Sequence, residues 1–355
     1  MADRRPPPPR RGFTSDNASG VHPEVLAMVA EANVGHAPSY GADSWTAWAQ
    51  DLLSAEFGAG SQTFLVFNGT GANVSALAAA LRPYQAVMCS ADAHLHTDEC
   101  GAPARFTGST VIPVPAERGL LTPELLEAAM PPVGRGEHQV VPAVLSLTNA
   151  SELGTVYRPA QVAELAAWAR ERGLLVHMDG ARLANAAVSG GSSLAEVSTA
   201  AGVDILSFGG TKNGLLFGEA VVFAGSAGGV AAARHYLHTR KQVTQLASKM
   251  RFLSAQFVAL LTDGLWRRNA MAANSAASYL ASSLSTVPGV EVLHPVQANA
   301  VFARMPPTMT ARLADEFSFH TWDAAAGNVR FVCSFDTETT DIDHFITTAR
   351  TLMTA

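Results

Sequence analysis

From about residue 60 onward the chain alternates short apolar runs with helical segments, and this alternation constrains the fold more than any other feature. The runs 63–67, 86–90, 110–114, 140–148, 174–179, 203–208 and 219–223 are apolar nearly throughout, as strands buried on both faces are. Such strands, separated by helices, imply an α/β domain on a mostly parallel seven-stranded sheet flanked by helices. The helix after Arg158 is the clearest connection. Pro159 suits a first turn, Val162, Leu165, Ala166 and Ala169 recur at helical spacing, and Gly173 stops it. Ligands of such sheets bind outside the carboxyl ends of the strands, which is where residues 68–73, Asp179 and Lys212 fall.

Residues 230–263, rich in Ala, Leu and basic residues, read as long helix. Beyond them the pattern changes to helix 269–284, strands 290–293 and 300–304, helix 310–317 and strand 329–333, a small C-terminal α+β domain. The expected organisation is a disordered Arg/Pro-rich tail over 1–12, an N-terminal segment with the large domain over 13–265, and the small domain over 266–355. Hydrophobic residues make up 48% of the 355, enough for a substantial core, and only 15% are charged. A net charge of −6 argues against nucleic acid as a partner. No apolar run is long enough to span a membrane and no secretory h-region is visible. Cys89, Cys100 and Cys333 are odd in number and widely spaced, so a reducing, cytoplasmic setting is expected rather than a disulfide framework.

The chemistry-bearing residues stand at the ends of the apolar runs. Lys212, in Ser207-Phe208-Gly209-Gly210-Thr211-Lys212-Asn213-Gly214, is flanked by glycines that let other groups approach the backbone. A crowded lysine loses its proton more easily and attacks a carbonyl; a lone loop lysine is otherwise a solvated surface residue. Asp179 closes the run before it, and an Asp at one strand end with a Lys just after the next is what a pyridoxal phosphate (PLP) enzyme needs. Taken alone, Asp179-Gly180-Ala181-Arg182 is better read as a salt bridge or a helix N-cap. Gly69, Thr70 and Gly71 open an Ala-rich helix and form either a phosphate cup or a tight strand–helix turn. Val74 stands where a dinucleotide fingerprint needs its third glycine.

His94 and His96 would share a face if they lay on a strand, which raises a metal site, but no spaced third ligand completes one. An imidazole lying on the cofactor ring and able to transfer protons suits His94 better, with His96 structural. Arg330, in a late strand, suits a substrate carboxylate, although a solvated arginine on an open sheet face is the commoner case. Tyr40 and Asp43 lie in a Gly-containing loop of the kind that completes a site across a dimer interface.

Taken in order, these segments resemble one family, the bacterial low-specificity L-threonine aldolases of PLP-dependent fold type I. The marks are Ser15-Asp16, Ser39-Tyr40-Gly41-Ala42-Asp43, residues 68–73, His94 with Glu99-Cys100-Gly101-Ala102, Leu153-Gly154-Thr155-Val156-Tyr157, residues 177–182 and residues 207–214. The resemblance implies Lys212 as the covalent anchor of PLP, Asp179 as partner of the pyridine nitrogen, and the Gly69, Thr70 and Gly71 backbone as the phosphate site. It places His94 on the ring and makes Ser15, Arg182 and Arg330 the carboxylate-binding group. Lys241 and Arg251 resemble basic residues that reach a neighbouring subunit's site, which implies a homodimer or homotetramer with shared sites. Asn149 stands where many family members carry a histidine near the substrate hydroxyl; an amide is no base, so His94 or a water takes that role.

The implied activity is retro-aldol cleavage of L-threonine, L-allo-threonine and related L-β-hydroxy-α-amino acids to glycine and an aldehyde. The rivals are an aldolase dedicated to L-3-phenylserine, a PLP-dependent β-eliminating lyase and a non-catalytic PLP-fold binding protein.

Overall fold

The computed structural model describes residues 9–132 and 134–354; residues 1–8 of the expected tail lie outside them. The chain divides into two compact units, Gly20–Met271 and Met1–Ser19 with Ala272–Ala355.

The first unit opens with helices α1 (Pro23–Glu31) and α2 (Ser44–Phe57), followed by strand β1 (Gln62–Val66) and helix α3 (Gly69–Ala80). Next come β2 (Gln85–Ser90), α4 (His94–Thr97), α5 (Ala102–Thr107), β3 (Thr110–Val114), α6 (Pro123–Ala129) and β4 (Val141–Thr148). The unit continues with α7 (Pro159–Glu171), β5 (Leu175–Gly180), α8 (Leu183–Gly190), β6 (Ile205–Gly209) and β7 (Glu219–Phe223). Helices α9 (Ala227–Ala233), α10 (Tyr236–Gln242) and α11 (Met250–Leu261) follow, and α12 (Leu265–Leu284) runs on into the second unit.

All seven expected strands form one sheet in the order β1-β7-β6-β5-β4-β2-β3. Strand β7 is antiparallel to both neighbours and every other pairing is parallel. The connection explains the exception. Only residues 210–218 separate β6 from β7, and a parallel return needs a crossover of a dozen residues or more. The chain therefore turns back on itself, which holds residues 210–218 at the carboxyl edge of β6.

Every residue of β6 and β7 is buried, as strands covered on both faces require. Helix α7 matches its reading closely: Val162, Leu165, Ala166 and Ala169 are all buried, and the Gln161 side chain accepts from Arg158 N at 2.9 Å to close a capping box.

Residues 230–263 do not form one long helix. They break into parts of α9, α10 and α11, with Thr244 in a left-handed conformation (φ 63°) between the last two. The break delivers Gln245 to the β1–α3 turn, where its Oε1 accepts from Phe67 N at 2.9 Å. A tertiary demand here overrides a run of good helix formers.

The second unit carries β8 (Glu291–Val292), β9 (Ala300–Arg304), α13 (Pro307–Ala314), β10 (His320–Asp323), β11 (Asn328–Val332) and α14 (Thr339–Thr354). Its strands form an antiparallel sheet ordered β10-β11-β9-β8. Strand β10 escaped the sequence reading because His-Thr-Trp-Asp is exposed throughout and shows no apolar alternation. Residues 13–19, expected with the large domain, pack in this unit instead. Phe13 N donates to Ser318 O at 2.7 Å, Val332 N donates to Phe13 O at 2.8 Å, and the Phe13 ring lies edge-on to Phe345. The end of the expected tail is also engaged: Arg10 pairs with Glu316 and Arg11 with Glu338 and Asp341.

The strand that leads to Lys212 is anchored by Phe208, fully buried with its ring 5.1 Å from Phe57 and 6.4 Å from Phe257. Phe208→Ala should cost about 3–5 kcal/mol of unfolding free energy, as for other buried aromatic truncations. Urea denaturation measures it.

Candidate active site

Six of the seven strands share a direction, so their carboxyl ends share an edge. Segments leaving five of them meet at one pocket. Gly69 and Asn73 come from α3 after β1, and His94 and Glu99 follow β2. Thr148, Ala150 and Glu152 leave β4, Asp179, Ala181 and Arg182 leave β5, and Lys212 follows β6.

The turn from β1 into α3 is capped by Asn68, whose Oδ1 accepts from Gly71 N at 2.8 Å. The preceding amides, of Gly69 and Thr70, lie in the first turn, where no intrahelical acceptor exists. With the positive end of the helix behind them they favour an anion. Gly71 itself faces away from the pocket role: the Gln245 carboxamide lies where a Cβ of residue 71 would be.

A chain of hydrogen bonds crosses the pocket wall. Asp179 Oδ1 accepts from Ala181 N at 2.9 Å and its Oδ2 from Asn73 Nδ2 at 2.7 Å. The same Nδ2 donates to Glu99 Oε1 at 2.8 Å, and that oxygen lies 3.1 Å from His94 Nδ1. The bond to Glu99 raises the His94 pKa against the opposing effect of burial. Burial raises that of Glu99, and the bonds to His94 and Asn73 moderate the rise. Glu152 Oε1 accepts from His94 N at 2.8 Å, and burial lifts its carboxyl to about 7.

Two further buried groups support the site from behind. Glu219, which opens β7, accepts from Gly210 N at 2.7 Å and so fastens the Lys212 loop; burial lifts its carboxyl to about 7. His177 lies between Ser146 Oγ at 2.9 Å and Ser207 Oγ at 3.1 Å, tying β4, β5 and β6 together. Burial lowers its pKa to about 4, which keeps the ring neutral.

Of the residues read from the sequence, Gly69, His94, Asp179, Arg182 and Lys212 come together. Thr70 and Gly71 stand beside them in the first turn of α3. Within the same unit, Asn149, Arg251, Tyr40 and Lys241 do not line the pocket. Asn149 is fully buried and its amide is engaged elsewhere: Oδ1 accepts from Tyr157 N at 3.1 Å and Nδ2 donates to Tyr157 O at 3.3 Å. Arg251 donates to Val34 O and Gly35 O, both at 3.2 Å. Tyr40 is exposed and bonded through its backbone N to Ser248 O, with Lys241 Nζ 5.3 Å from its ring.

Ser15 and Arg330 belong to the second unit. Ser15 Oγ accepts from Asn17 N as the cap of a short turn, and the Arg330 guanidinium lies 5.1 Å from the Trp322 ring. His94 and His96, which would share a face on a strand, do not lie on one. Both lie on the single turn of α4, so the side chains diverge and His96 is exposed. Among the described residues no group of three or more His, Cys, Asp or Glu could hold a metal ion.

The sequence reading gave no role to Asn73, Thr148, Glu152 or Glu219. Asn73 was within reach, one helical turn after Gly69 and therefore on its face. Glu219 also left a trace, as a lone carboxylate heading an otherwise apolar strand. Glu152 left none, because its loop has no periodicity.

Comparison with known proteins places the chain in a family. A family described as beta-eliminating lyase matches residues 12–306. The chain is 43% identical to the low specificity L-threonine aldolase of Pseudomonas sp. (strain NCIMB 10558), over 97% of its own length and 98% of that protein's. Its identity to the low specificity L-threonine aldolase of Pseudomonas aeruginosa is 45%, over 92% and 93%. A solved structure of Leishmania major threonine aldolase superposes with a TM-score of 0.90 at 30% identity, covering 97% of this chain and 99% of that one. A glycine decarboxylase of the glycine cleavage system, at 18% identity and a TM-score of 0.71 over 97% of this chain and 86% of that one, shares the fold.

The buried carboxyl of Glu219 makes stability depend on pH. Its pKa in the fold is about 7 against an ordinary 4.5, so the folded state holds a proton that the unfolded chain has lost. The resulting stabilisation is complete below pH 4.5 and disappears as pH rises through about 7. In protein stripped of small molecules, Glu219→Gln should flatten that fall by roughly 3 kcal/mol, read from urea unfolding at a series of pH values.

Proposed function

The chain belongs to the beta-eliminating lyase family, and from that membership we propose that it is a PLP-dependent aldehyde lyase of the threonine aldolase type. It cleaves L-threonine, L-allo-threonine and related L-β-hydroxy-α-amino acids to glycine and an aldehyde. The observation that carries this reading is the meeting of Lys212, Asp179 and His94 with the first turn of α3 in one pocket.

The residues present fit the cofactor. The α3 N-terminus suits its phosphate, and Asp179, oriented by Asn73 and Ala181, suits a protonated pyridine nitrogen. Three buried oxygens at the pocket, Asn73 Oδ1, Glu99 Oε2 and Glu152 Oε2, have no hydrogen-bond partner among the described residues, which suits a site made for a polar ligand.

Bound PLP supplies an electron sink for the pair left when the substrate's Cα–Cβ bond breaks. The rest is the work of the chain. Lys212 would supply the amine that anchors the cofactor. The Asp179 carboxylate would pair with its ring nitrogen. His94, fixed through Nδ1 by Glu99, would lie against its ring. Arg182 offers a guanidinium to the ring 3-oxygen or to the substrate carboxylate.

Assembly as a dimer or tetramer is part of the proposal. It is supported by exposed apolar side chains of the large unit, among them Tyr40, Leu216, Phe217 and Leu237. No helix among the described residues is long and apolar enough to cross a membrane, and the three cysteines are free. A reducing, cytoplasmic location is accordingly proposed.

Borohydride should trap a covalent adduct between PLP and Lys212 in the wild type and none in Lys212→Ala, which should also lose cleavage by several orders of magnitude. Incubation with L-threonine and L-phenylserine should release glycine with acetaldehyde or benzaldehyde. Pyruvate and ammonia in their place would mark a β-eliminating lyase.

A further inference from the structure

Cleavage of a β-hydroxy-α-amino acid requires a group that takes the proton of the β-hydroxyl. The pocket offers few. His94 has its Nδ1 committed to Glu99, and its backbone N is spent on Glu152. Asp179 accepts at both oxygens, from Ala181 N and from Asn73 Nδ2. Glu99 serves Asn73 and His94 through Oε1, and its side chain is 0% exposed. The Asn149 amide is held by the Tyr157 backbone and does not line the pocket.

Glu152 shares with Glu99 a second oxygen that no described residue bonds, and differs from it in being half-buried at the pocket rather than fully enclosed. It sits in the turn after β4, pinned by Ser151 N to Thr155 O at 2.9 Å. His94 N holds its Oε1, while its Oε2 has no hydrogen-bond partner among the described residues. We propose that Glu152 is the catalytic base that accepts the β-hydroxyl proton. The assignment rests on the reading of the chain as an aldolase.

The step balances without a co-reactant. The hydroxyl proton passes to Glu152, and the O–H electron pair becomes the second bond of the aldehyde C=O. The Cα–Cβ pair stays with the glycine fragment, where the cofactor's sink holds it. Glu152 then releases one proton while Cα gains one, so the products equal the substrate in atoms and charge.

The surroundings set the working range. Facing Glu152 are Thr148 of β4, Tyr157 before α7, Asp179 from β5, His94 of α4 with Glu99 beyond it, Cys89 of β2, and the cations Arg182 and Lys212 at the pocket. Burial chiefly, with Asp179 adding to it, holds its carboxyl at about 7 despite the opposing bond from His94 N. A base must be ionised to act, so cleavage should rise with pH through that value.

The test uses the PLP-loaded enzyme and Glu152→Gln, which keeps an oxygen for His94 N. The variant should lose about 10²–10⁴-fold in kcat for threonine cleavage, with KM within about threefold, and should lose the rising limb of the pH profile. Exchange of the α-deuterium of glycine, followed by NMR, needs the cofactor but no β-hydroxyl and should fall by less than about threefold. An unchanged thermal midpoint and PLP absorbance would confirm a folded, loaded variant.

Cleavage within about threefold of wild type, or a wild-type profile flat from about pH 6 to about pH 8, overturns the assignment. A parallel loss of cleavage and glycine exchange overturns it as well, since Glu152 would then support the loaded site as a whole. A wild-type enzyme that makes no glycine and aldehyde from any β-hydroxy amino acid overturns the aldolase reading, and this proposal with it.

Discussion

Two buried carboxylates, Glu99 and Asp179, are bridged by the side-chain amide of Asn73, whose Nδ2 donates to both at 2.8 and 2.7 Å. Like charges this close and this dry repel each other, and a shared donor offsets part of that cost. One donor satisfying two acceptors joins α3, the segment after α4 and β5 at a single point. The orientation of Asp179 towards the pocket and the tether on His94 both follow from it. The proton affinities around the site have other causes: the bond to Glu99 raises His94, and burial raises Glu99 and lifts Glu152 to about 7.

The sheet supplies the other half of the arrangement. Because residues 210–218 are too few for a crossover, β7 has to run backwards, and its first residue lands at the edge where β6 ends. Glu219 is therefore next to Gly210 by topology, paired with Gly209 in the ladder, and needs no special loop to reach the lysine segment. A length constraint in the chain becomes a chemical one at the site.

Much of this was legible in the sequence, for a physical reason. Lys212, Asp179, His94, Arg182 and Gly69 follow apolar runs, and in a parallel sheet every such position lies at one edge. Strand pattern alone gathers them. Side-chain direction was not legible. Asn149 stands at the right strand end, yet its amide turns inward to Tyr157, a choice made by tertiary packing. Glu152 and the break at Thr244 were invisible for the opposite reason: neither carries a periodic or compositional mark, and both are set by partners far along the chain, His94 and Phe67. The exposed strand β10 lacked the apolar alternation by which strands are recognised at all.

The clasp between Gln245 and the β1–α3 turn bears on how such a site can be moved or remodelled. The carboxamide fills the space beside Gly71 and accepts from Phe67 N, so the glycine turn is half of a two-part module whose other half lies in a loop after α10. Transplanting residues 67–73 into another α/β scaffold would carry over the sequence and lose the shape. Conversely, an insertion between α10 and α11, a place that looks harmlessly remote in the chain, would be transmitted to the glycine turn before α3. Modularity in this protein follows the hydrogen bonds and not the primary sequence.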